Sequence, residues 1–171
     1  MEQYALLLAA TLNAGTVLAI AALGLLINEK AGIVNLGAEG MMLCAAIAGF
    51  AITVHTGSEW LGFAAGMGAG ALLAGIFGVL AIWLNTNQYA TGLALSLFGA
   101  GFSAFGGMKY VQAKLPERAD YAIPVLKDIP LIGPALFRQH PMVYLAIALV
   151  LWLVWFLYRS RSGLVLRCVG E

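Results

Sequence analysis

Asn35 and Glu39 are the two side chains whose types and placement could do chemistry in this sequence. They lie in the apolar run 31–43, AGIVNLGAEGMML, together with Gly32, Gly37 and Gly40. An ionisable group at membrane depth is costly, so it faces a bundle interior, a water-filled path or a partner. Read as a straight helix from Ala31, the run places Glu39 about 12 Å along the axis. Read as a break over 32–35, it starts a half-helix near Leu36. Asn35 is then a plausible N-cap and Glu39 lies just past the first turn, near the positive end of the helix dipole. Broken helices of this kind recur where a solute path crosses a bilayer. The structural alternative is that Glu39 hydrogen-bonds a neighbouring helix or loop and meets no solute. Asn13, Asn35 and Thr91 carry the same two readings, path-lining or helix-to-helix hydrogen bonding.

Other chemistry is harder to find. His55 and His140 stand at the edges of apolar runs, and neither has a second ligand at metal spacing. No Lys is followed by Ser or Thr, so the phosphate-binding loop that cradles ATP is missing. No Ser/His/Asp arrangement is legible, and no catalytic residue is expected. Cys44 and Cys168 lie far apart without CxxC spacing and read as free thiols.

The elements that must position these residues follow from composition. Of 171 residues, 62% are hydrophobic and 10% charged, against roughly a quarter charged in a globular domain. With a net charge of +1 there is no basic field for nucleic acid. No charge lies between Glu59 and Lys109, a length that suits two membrane spans of about 20 residues each with a turn. The expected fold is all-α, a polytopic bundle of about five spans in one membrane domain over 1–171. The spans fall near 4–27, 31–54, 60–84, 89–108 and 141–158, with span two broken near Gly32 to Asn35. MEQYALLL has no basic n-region, so the first run reads as a span rather than a cleaved leader. The hydrophilic loop 109–140 contains a short apolar piece, 129–137, suited to the interface.

Gly62, Gly66, Gly70, Ala74 and Gly78 recur every four residues in span three, and Gly92, Ser96, Ala100 and Ala104 do so in span four. Small residues at this period let helix backbones approach closely in lipid, so these stripes are expected to form a packed seam. Charge leaves the orientation open. One assignment puts Lys30, Arg159, Arg161 and Arg167 inside, and the other Lys109, Lys114, Arg118, Lys127 and Arg138. The density of arginine in 159–167 favours a cytoplasmic tail. That tail, RSRSGLVLRCVGE, reads either as an anchor on anionic lipid or as a docking segment for a cytoplasmic partner.

Three segments, GIVNLGAEGMML (32–43), NQYATGLALSLFG (87–99) and SGLVLRCVGE (162–171), resemble the permease subunits of bacterial ABC importers for branched-chain amino acids, simple sugars and nucleosides. The nearest likeness is to the nucleoside/simple-sugar type, and it extends to DIPLIGPALF (128–137). The resemblance implies a multi-pass protein of the bacterial plasma membrane, N-terminus outside and tail cytoplasmic. It implies a separate cytoplasmic ATPase that binds the ATP, a second permease subunit in a heterodimer, and an extracytoplasmic solute-binding protein. It makes the chain a transport subunit rather than an enzyme, with no cofactor of its own. Asn35, Glu39, Asn13 and Thr91 would lie on the substrate path. Gly163, Leu164, Arg167, Gly170 and Glu171 would begin the loop that couples to the ATPase. Members of that family are nearly twice this long, so the sequence looks like an N-terminal part of such a permease. Cys168 stands where the family pattern has a small residue. The alternative readings are an ATP-independent carrier or channel with Glu39 as the coupling site, and a membrane-embedded enzyme or assembly factor with no path.

Overall fold

The structure is a computed structural model that describes residues 2–113 and 140–170. The described residues contain six α-helices: α1 (Glu2–Lys30), α2 (Ala38–Thr56), α3 (Glu59–Gly78), α4 (Gln88–Gly107), α5 (Pro141–Arg159) and α6 (Arg161–Gly170). A π-helical turn, Val79–Trp83, extends α3, and a 3-10 turn, Met108–Tyr110, extends α4. There is no strand among the described residues. Helices satisfy their own backbone without water, which is what a lipid environment demands. Five of them, α1 to α5, are long and apolar enough to cross a membrane. Most of the apolar side chains stay exposed, including Leu97, Phe98, Phe102 and Phe105 along α4. A soluble protein seldom leaves so continuous an apolar surface uncovered, whereas lipid covers it at no cost.

Local sequence sets most helix ends. Gly57 at φ 69 closes α2, its N–H donating to the Thr53 carbonyl at 2.8 Å, and Ser58 then caps α3. Asn87 Oδ1 caps α4 by accepting from the N–H groups of Tyr89 at 3.0 Å and Ala90 at 3.3 Å. Asn85, at φ 50, takes the left-handed conformation that ends the π turn. His140 Nδ1 accepts from the Met142 N–H at 3.3 Å, and Pro141 occupies the first turn of α5, where its missing N–H costs nothing.

Two compact units divide the described residues, α1 with α5 and α6 in one and residues 33–113 in the other. In the second unit α2 is the central helix, packed along α3 on one flank and α4 on the other. The two stripes of small residues therefore meet α2. Gly62 and Gly66 lie against Gly49, Thr53 and Ala45 of α2, and Gly92 and Gly99 lie against 36–37 and Gly40. The expected packed seam is thus two seams sharing a middle helix. The periodicity marks which face is small but not what that face meets. Gly78 has open space around its Cβ position, so the α3 stripe is not in contact along its whole length. Met41, Cys44, Leu73, Phe77, Ala81 and Leu95 form the buried core, with Ile33 packed on it.

In the first unit, α1 and α5 border an apolar groove lined by Ile20, Leu23, Gly24 and Ile27 with Leu149, Trp152 and Leu153. The tail, expected as a loop, is the helix α6, and one residue separates it from α5. That residue, Ser160, is extended at φ −93, ψ 149. Its hydroxyl donates to the Phe156 carbonyl at 2.6 Å and accepts from the Gly163 N–H at 2.9 Å. Gly163 is buried against the Phe156 carbonyl and Leu157, a gap that only glycine leaves.

Candidate functional site

The interruption between the first two spans is longer than its composition indicates. Residues 31–37 are non-helical, and α2 begins at Ala38 with Gly37 as its N-cap. Asn35 is therefore not the cap that the sequence proposed. Its Oδ1 accepts from the Gly37 N–H at 2.9 Å, a local turn that competes with helix and delays it by two residues. Gly32 holds a positive φ of 75 at the other end of the break, a conformation that side chains with a Cβ strain to adopt.

Helix α4 supplies the rest of the support. Gln88 Oε1 accepts from the Val34 N–H at 2.9 Å. Ser96 Oγ donates to the Leu36 carbonyl at 2.8 Å. Between them, Gly92 leaves room for the backbone at Leu36 and Gly37; a Cβ there would come within 2.9 Å of the Leu36 nitrogen. One turn further on, Gly40 and Gly99 meet backbone to backbone, and Cys44 Sγ is 3.9 Å from the Gly99 carbonyl oxygen. The half-buried Asn35 also directs Nδ2 to Met41 Sδ at 3.7 Å. Glu39 lies in the first turn of α2 with its side chain exposed, where its charge complements the helix N-terminus.

The half-buried Thr91 places its hydroxyl 2.8 Å from that of Thr86, which donates to the Leu80 carbonyl at 2.8 Å. Asn13 is exposed on α1, in the other unit, and its Nδ2 donates to the Ala9 carbonyl of its own helix at 3.1 Å. Of the four proposed path residues, the structure brings Asn35, Glu39 and Thr91 into the unit containing the break. A Cβ added at Gly70 would stand 3.8 Å from that of Ala45, in ordinary contact. On α6, Leu164 is exposed, Arg167 is half-buried with its guanidinium 5.0 Å above the Tyr158 ring, and Gly170 packs on the Lys30 carbonyl and the Gly32 nitrogen. Glu171 and the loop segment 114–139 lie outside the described residues. Gln88 was missed, because a glutamine beside a capping asparagine reads as part of a polar turn. Its signal is an amide in the first turn of an apolar helix, where hydration alone does not call for one.

Five of the described helices are long and apolar enough to cross a membrane, and a polar, glycine-rich break is held against a neighbouring one, an arrangement that recurs in transporters. Residues 7–171 match the family described as the branched-chain amino acid transport system permease component, and the chain belongs to that family. It is 44% identical over 169 residues to a Haloferax volcanii protein provisionally named a glucose ABC transporter permease, covering 96% of this chain and 51% of that one. It is 32% identical over 176 residues to the guanosine ABC transporter permease of Bacillus subtilis, covering 95% of this chain and 54% of that protein. It is 29% identical over 169 residues to a nucleoside ABC transporter permease of Lactococcus lactis, covering 91% and 53%. The chain thus spans about half the length of the curated relatives it matches. No solved structure gives a significant match.

Proposed function

We propose that this chain forms part of the translocation path of an ABC-type importer for a small polar solute, a sugar or a nucleoside. The observation that carries the reading is the break at 31–37, which brings an amide and a carboxylate to the start of α2 in a chain of permease ancestry. Asn35 and Glu39 line or gate the path, with Thr91 and Asn13 as further polar positions. An importer of this kind draws its energy from a cytoplasmic ATPase, receives solute from an extracytoplasmic binding protein and pairs with a second permease subunit. Helix α6 meets the ATPase through Gly163, Leu164, Arg167, Gly170 and Glu171. The tail is then cytoplasmic and the N-terminus outside, in the plasma membrane. The chain itself performs no catalysis and holds no cofactor.

Arg167→Glu tests the reading in the complete importer. Uptake is expected to fall to background while membrane insertion, followed by protease protection, stays normal. Wild-type uptake in this variant removes the coupling role of α6. Solute flux into liposomes without nucleotide, driven by an ion gradient and lost in Glu39→Gln, would instead establish an ATP-independent carrier.

A further inference from the structure

We propose that Gln88 and Ser96 are positioning residues that fasten the break to α4, so that residues 34–39 and the first half of α4 move as one body during transport. The proposal rests on the permease reading. A non-helical stretch packed against a neighbouring helix carries backbone groups with no helical partner, and each one buried without a hydrogen bond is expensive. Three polar side chains meet that need. Asn35 takes the Gly37 N–H from within the break, while the Val34 N–H and the Leu36 carbonyl are satisfied from α4, by Gln88 at 2.9 Å and Ser96 at 2.8 Å.

The spacing on α4 is that of a built surface. Positions 88, 92, 96 and 99 fall on one helix face at 3.6 residues per turn. Along that face a bonding side chain alternates with a glycine: Gln88, Gly92, Ser96, Gly99. The glycines bring backbone against backbone, and the side chains then reach the two orphaned groups. Helix α3 contributes no hydrogen bond to the break among the described residues. The break that leads into Glu39 is therefore bonded to α4, and Gly40, the next residue, packs on the α4 backbone, so a tilt of α4 is expected to carry the start of α2 with it.

Two readouts on the full chain test this, one of which does not depend on transport. In the purified protein in lipid nanodiscs, Gln88→Leu is expected to raise hydrogen exchange at the Val34 amide about tenfold, the effect of losing one hydrogen bond. Gln88→Glu keeps the acceptor and restores protection. In the complete importer the leucine variant is expected to lower the maximal uptake rate several-fold, with the glutamate variant recovering most of it. Gly37→Cys with Leu95→Cys supplies the motional test. A Cβ at 37 stands 3.2 Å from that of Leu95, close to disulfide range. The oxidised pair is expected to keep importing, because the two segments need not separate. Unchanged exchange at Val34 in Gln88→Leu, a glutamate variant as damaged as the leucine one, or loss of uptake on oxidation with recovery on reduction each overturns the proposal. An importer containing the unmodified chain that moves no solute overturns the permease reading, and the exchange experiment still decides the fastening.

Discussion

Both units are built of helices apolar enough to cross a membrane, and they pack them differently. In residues 33–113 three helices approach through glycine, with Gly40 against Gly99 and Gly49 against Gly62, and polar side chains secure the break. In the other unit α1 contributes no buried residue to its most apolar window, and Gly15 and Gly24 have nothing near their Cβ positions. Close backbone approach there is concentrated at α6, through Gly163 and Gly170. An apolar helix in lipid has no hydrophobic reason to seek another, so shape and hydrogen bonds decide which spans pack. A glycine therefore carries different weight in the two units.

The sharpest way to break this contrast is Gly40→Ala. Its Cβ would overlap the backbone at Leu95 and Ser96, and a destabilisation of about 3 kcal/mol is expected in detergent unfolding measurements. A value near zero would mean that the α2–α4 contact is loose. Asn87→Ala removes the cap of α4 and is expected to cost about 1 kcal/mol in the same measurement, with the loss felt at Gln88 one residue on. Gly15→Ala on α1 is expected to be neutral or to stabilise by about 0.5 kcal/mol, since it meets open space and favours helix. If it harmed the protein as Gly40→Ala does, α1 would be as tightly packed as α2.

Much of this was legible in the sequence for physical reasons. Long uncharged runs announce spans, and an asparagine, a glutamate and glycines inside one of them announce an interruption. The helical class and the permease family follow from those features and from the three motifs. What stayed hidden is of two kinds, local competition for backbone groups and partners distant in the chain. The run Asn28-Glu29-Lys30 looks like a turn, yet α1 continues through it to Lys30 before Gly32 turns the chain. The start of α2 moved from Leu36 to Ala38 because Asn35 spends its side chain on the Gly37 N–H. The stripes on α3 and α4 were visible as stripes, but only the structure shows that both face α2. Gln88 and Ser96 matter through Val34 and Leu36, more than fifty positions away, and no local pattern contains that relation.

Ser160 has a mechanical consequence. A single extended residue, bonded by its hydroxyl to the helix on either side, gives the joint between α5 and α6 almost no slack. With Gly163 seated on Phe156 just beyond it, a load applied to α6 has no hinge in which to dissipate. Under the proposed coupling, such a load would arrive at α5 as torque, the elbow acting as a crank.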